Sequence, residues 1–104
     1  MNEEKYLQDF NIISLAGMAK SQFILAIKEA KRDNFEKAEE LLKMGEEQMN
    51  EAHRVMFKML QQESLGEPVE VNIVTVHAQD HITMATMMYE MAIEMIDLYK
   101  RMSK

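Results

Sequence analysis

HAQDHITMATMMYEMAIEMIDLY, residues 77–99, carries most of the information about the fold. Wound at about 100° per residue, Gln79, Thr83, Thr86, Glu90, Glu94 and Asp97 collapse into one arc roughly 80° wide. Around the rest of the wheel lie Ile82, Met84, Ala85, Met87, Met88, Met91, Ala92, Ile93, Met95, Ile96 and Leu98, with Tyr89 and Tyr99 among them. A helix apolar over so wide an arc is buried on more than one side. Two neighbours in a three-helix bundle cover only part of that surface. In a chain of 104 residues the remaining cover comes from copies of the same chain. The expectation is a homo-oligomer with this helix at the interface.

Upstream, QESLGEPVE (62–70) holds the only Pro and one of three Gly. A proline there forbids running one helix straight into the next. Val69, Val71 and Ile73 alternate with Glu70 and Asn72 like a strand, but one strand in a helical chain has no partner. We read a short extended lead-in, with Asn72 or Thr75 capping a helix that runs to about Met102. Further upstream, KRDNFEKAEELL (31–42) is a break and a restart. Asp33 or Asn34 can cap the new helix; Asp33 and Glu36 have capping-box spacing, and Glu36, Glu39 and Glu40 suit the positive end of a helix dipole. From there Phe35, Ala38, Leu41, Gly45, Met49, Ala52, Met56 and Met59 recur at helical spacing. So do the apolar residues from Lys5 to Arg32. Gly17 lies inside that first helix. A mid-helix Gly costs about 1 kcal/mol against Ala, so it is expected to permit close approach of another helix. The chain reads as one all-α domain, residues 1–104, an antiparallel three-helix bundle.

Bulk properties narrow the function. The net charge is −6 with both signs interspersed. No basic stripe can neutralise phosphates, which argues against nucleic acid, and an acidic surface disfavours anionic membranes. No apolar run is expected to reach the roughly 18–20 residues of a membrane span, and MNEEKYLQDF has no secretory pattern. Absent cysteine excludes disulfides, thiolate metal sites and a thiol nucleophile. The default is a soluble cytoplasmic protein without membrane insertion. The twelve methionines are expected to be mostly core.

Polar residues inside the apolar arc mark the candidate site. His77 and His81 fall about 40° apart, near Met84, Met88 and Met95. Asp80 lies on another line, with Met87, Met91 and Leu98. A buried carboxylate must be neutralised, paired or metal-bound. On a symmetry axis Asp80 would meet its own copies, and a cation between them would resolve the repulsion. His53 in helix two reads as a satisfied core histidine. For His77 and His81 three readings stand. They are purely structural. Or they are i, i+4 zinc ligands, which need a third ligand. Or a neutral imidazole takes a phosphoryl group while the second donates to its oxygens and first-turn N–H groups favour the anion.

VHAQDHI (76–82) preceded by VNIVT (71–75), with IISLAGMAKS (12–21) and NEAH (50–53), resembles the lactose/cellobiose-type enzyme IIA of the bacterial sugar phosphotransferase system. The similarity spans almost the whole chain. It implies a homotrimer of three-helix bundles that takes phosphate from the histidine-containing phosphocarrier protein. It implies delivery to a cysteine of a IIB component, for uptake of a β-linked disaccharide of the cellobiose, chitobiose or lactose class. His77 then carries the phosphate, His81 assists, and Asp80 binds a divalent cation, usually magnesium, at the trimer axis. Two stretches depart from the family pattern: Ile82-Thr83 stands where Leu-Met is usual, and Met56-Phe57 where Gln-Thr is common.

Overall fold

The structure, a computed structural model, describes residues 3–103. Three long helices, α1 (Glu3–Lys31), α2 (Phe35–Ser64) and α3 (Ile73–Met102), run up, down and up in a rod of 55 × 21 × 19 Å. No strand occurs among the described residues, and 67–72 form no regular element but lead into α3, with Asn72 extended. α1 packs intimately against both other helices, and α2 and α3 meet over a smaller area.

The core is a seam of small and large residues. Ile12, Ala16, Ala19, Phe23, Ala26 and Ala30 on α1 are fully buried. They meet Ala38, Leu41, Met49, Ala52 and Met59 of α2 and Ala78, Ile82, Ala85, Ala92 and Ile96 of α3. The alanines let the backbones close in, and Phe23 and Ile12 fill what remains, each contributing about 1.5–3 kcal/mol by leaving water. Phe23 also meets Tyr89 with ring centroids 5.3 Å apart.

Several details correct the sequence reading. The close approach is at Gly45, not Gly17. A Cβ on Gly45 would lie 2.5 Å from Cε1 of Phe23 and 3.1 Å from the carbonyl oxygen of Ala19, while one on Gly17 would meet nothing within 4 Å. Spacing alone could not distinguish a glycine facing the core from one facing outward. The Asp33/Glu36 capping box does not form: Asn34 is the N-cap of α2 and makes no side-chain cap bond. Asp33 instead adopts the left-handed conformation, φ 65°, that closes the α1–α2 turn, and the Asn34 amide donates to Glu29 at 2.8 Å. The methionines are mostly not core. Among the described residues only Met49 and Met59 are buried, and Met18, Met44, Met84, Met87, Met91 and Met102 are exposed. Finally, a window within Tyr6–Lys31 reaches a mean hydropathy of 1.4, so α1 is long and apolar enough to cross a membrane by composition alone. That corrects the expectation that no run comes near such a length. Lys20 alone interrupts the uncharged run from Phe10 to Ile27. In the fold one face of this helix supplies the central seam of the bundle, while Leu7, Phe10, Met18, Ile24 and Leu25 lie exposed on the rest of it.

α3 has two faces. One lies in the core. The other carries Ile73, Val76, Met84, Met87, Met91, Leu98 and Met102, all exposed in the single chain, Met87 to 64% and Ile73 to 84%. Spacings of three and four residues place them on one stripe. Asp80 belongs to the same stripe and is also exposed.

Candidate functional site

The start of α3 is fixed by local hydrogen bonding. Asn72 caps it, its side-chain oxygen accepting from the backbone N–H of Val74 (3.0 Å) and Thr75 (3.1 Å). Such a cap contributes about 1 kcal/mol. Thr75 donates its hydroxyl proton to the buried carboxylate of Asp9 at 3.0 Å, which ties this first turn to α1. The cap has a chemical consequence. Val74 and Thr75 donate to the Asn72 side chain, and Val76 to the Asn72 carbonyl. These first-turn N–H groups, expected from the sequence to favour a phosphate, are already occupied.

One turn further on stand the two imidazoles. Nε2 of His77 lies 3.0 Å from Nε2 of His81, and the rings meet edge to face, centroids 4.4 Å apart at 87°. His77 is exposed and His81 half-buried. Behind His81, and deeper in the bundle, the ammonium of Lys20 reaches its Nδ1 at 2.8 Å. Burial holds the His81 ring below its usual 6.5; the Lys20 charge and then His77 push the same way, and Asp80 opposes them. The neutral form of His81 is thereby favoured.

The structure brings His77 and His81 together as the spacing predicts and sets Asp80 apart on the outward stripe. His53 is half-buried with Nε2 3.2 Å from the Thr86 hydroxyl, a satisfied histidine. Lys20 was not singled out in the sequence. Its signal was present: it is the lone charge in an otherwise uncharged stretch of α1. The zinc reading finds no third ligand, since no group of three His, Cys, Asp or Glu side chains able to hold a metal exists among the described residues. Asp80 stands exposed on the outward stripe, and its carboxylate is an oxygen donor of the kind hard cations take.

A rod of three helices with an exposed imidazole, backed by a neutral imidazole and an ammonium, defines a class: small helical proteins that can carry a group on histidine. The family model for the PTS system, Lactose/Cellobiose specific IIA subunit, matches residues 8–100. The lichenan-specific phosphotransferase enzyme IIA component of Bacillus subtilis is 36% identical over 104 residues, covering 100% of this chain and 94% of that protein. The crystal structure of the PTS cellobiose-specific enzyme IIA from Bacillus anthracis superposes with a TM-score of 0.95 at 34% identity, over 99% of this chain and 94% of that one. The chitobiose IIA of Escherichia coli, solved in complex with HPr, gives a TM-score of 0.85 at 28% identity over 99% of this chain and all of that one. The chain belongs to the lactose/cellobiose-specific IIA subunits of the sugar phosphotransferase system, and is a phosphotransferase component.

Proposed function

We propose that His77 is the phosphoryl carrier. It accepts the group from the histidine-containing phosphocarrier protein and passes it to a cysteine of a IIB component, serving uptake of a β-linked disaccharide of the cellobiose, chitobiose or lactose class. The observation that carries this is the exposed imidazole of His77 held 3.0 Å from the half-buried ring of His81. A carrier must be reached by two different partners, and an exposed ring satisfies that. A phosphoryl group adds about −1.5 to −2 charges, which the exposed site leaves in water. The chitobiose relative's complex with HPr supports the choice of donor. Ile73 and Val76, exposed within about one turn of His77 at the start of α3, supply an apolar collar for docking.

His81 supports transfer in both directions. Its Nε2 faces the reacting nitrogen of His77, so once that nitrogen holds phosphorus the neighbouring ring is placed to hydrogen-bond a phosphoryl oxygen. The relay works among soluble partners in the cytoplasm.

The assembly we infer is a homotrimer closed by the outward stripe of α3. Three facing stripes of Met84, Met87, Met91 and Leu98 would bury surface that a single chain leaves in water. Asp80, on the same stripe, would hold the divalent cation, magnesium by the usual family assignment, and its chemistry there is to neutralise converging carboxylates. Phosphoryl transfer at His77 needs nothing from that ion.

The test is labelling. The protein is incubated with phosphoenolpyruvate, enzyme I and the phosphocarrier protein. An acid-labile, base-stable phosphate that disappears with His77→Gln is expected. No transfer to the wild-type chain would leave only a helical bundle without a relay.

A further inference from the structure

Lys20 sits alone among apolar residues in the middle of α1, half-buried, with its ammonium 2.8 Å from Nδ1 of His81. The hydrogen-bonding chemistry of this triplet has one consistent solution. An ammonium has donors and no acceptor, so Nδ1 of His81 must accept. A neutral imidazole carries one proton, which is then on Nε2. That Nε2–H lies 3.0 Å from Nε2 of His77 and donates to it. Nε2 of His77 must therefore present its lone pair, with its own proton on Nδ1. The ammonium occupies the Nδ1 lone pair of His81, the place a second proton would have to take.

We propose that Lys20 is a positioning residue whose ammonium fixes the Nε2–H tautomer of His81 and thereby makes Nε2 of His77 the atom that receives the phosphoryl group. The inference rests on the reading of His77 as carrier given above. In the transfer, the Nε2 lone pair of His77 forms the new nitrogen–phosphorus bond. The donor histidine's nitrogen leaves with the electron pair of the old bond. No proton has to depart from His77 for this to happen, because its proton is on the far nitrogen. The Nε2–H of His81 loses its acceptor at that moment and turns to a phosphoryl oxygen. Without Lys20, His81 samples the other tautomer, and its bare Nε2 then draws the His77 proton onto the facing Nε2, so that the nucleophilic lone pair is lost.

The experiment uses the full chain with ¹⁵N-labelled histidine, as wild type, Lys20→Met and Lys20→Arg. Long-range ¹H–¹⁵N spectra at pH 8 distinguish the two neutral tautomers. Wild type is expected to show His81 as Nε2–H and His77 as Nδ1–H. Lys20→Met, which keeps the apolar stem, is expected to mix the His81 tautomers. It should also slow phosphorylation by the phosphocarrier protein about tenfold, the weight of one charge-assisted hydrogen bond. Lys20→Arg, again a donor without an acceptor, is expected to restore the tautomer and most of the rate. Finding His81 as Nδ1–H in wild type, or unchanged tautomers and rate in Lys20→Met, overturns the proposal. The wild-type spectrum decides even if a variant folds poorly. Failure of the carrier reading looks different: the wild-type chain takes no phosphate while the tautomer signals still respond to Lys20.

Discussion

Gly45 faces the ring of Phe23 across the α1–α2 contact so closely that a methyl group on it would stand 2.5 Å from Cε1. Phe23 is fully buried and has no room to retreat. Gly45→Ala therefore forces two helices apart. Overpacking costs about 1–3 kcal/mol, and the better helix propensity of Ala returns up to about 1. A net loss of up to about 2 kcal/mol is expected, read as a lower melting temperature.

Gly17 makes the opposite case. A Cβ there meets nothing within 4 Å, and the position lies inside α1. Gly17→Ala is expected to stabilise the chain by about 0.5–1 kcal/mol, measured by the same thermal melts.

Asn72→Ala removes the acceptor of two backbone N–H groups below His77. The loss is about 1 kcal/mol, with fraying at the start of α3. Hydrogen exchange should quicken at Val74 and Thr75 first. Asn72→Asp, which keeps the accepting oxygen, should retain protection.

If Asp80 holds a divalent ion in the proposed trimer, Asp80→Leu is expected to abolish ion binding, followed by calorimetry, while the trimer persists in sedimentation. Replacing charges in an apolar interface by packing is neutral or favourable by about 1–4 kcal/mol. Dissociation into single chains would place the interface elsewhere.

Tyr89 donates its phenolic proton to Glu46 across the α2–α3 contact. That bond, with burial and the Glu46 charge behind it, pushes the phenol from 10.0 up to about 12. The folded state thus holds a proton that the unfolded chain releases at lower pH. The stabilisation is complete below pH 10 and fades between about 10 and 12. Denaturant unfolding at pH 8 and 11 should show this decline, and Tyr89→Phe should flatten it.

Helix number, the two breaks and the faces of α3 were legible because each has a strong local cause. Pro68 and Gly66 interrupt α2, Asn72 can cap, and the Met/Ile pattern of α3 repeats at helical spacing. The His77–His81 pair was legible for the same reason, since four residues on a helix put two side chains on one face. What spacing could not show is which elements meet. Gly45 and Gly17 look alike in sequence, and only the tertiary contact with Phe23 separates them. The Asp33/Glu36 pair has the right spacing for a cap, yet the turn needed Asp33 in a left-handed conformation instead. The methionines suggested core by hydrophobicity, but a single chain has little interior, and most fall on faces it leaves open. Lys20 shows in the sequence only as a lone charge in an apolar stretch; what it serves stays hidden because its partner is 61 positions away.

That distance makes the chemistry a gauge of alignment. Lys20 and its imidazole acceptor are brought together only when the first and third helices have settled at the right height along each other. A slip of one turn, about 5.4 Å, would carry the ammonium out of reach and leave the nucleophile undefined. A collapsed but mis-shifted chain would then be chemically silent, and a failed fold would not draw phosphate from the relay.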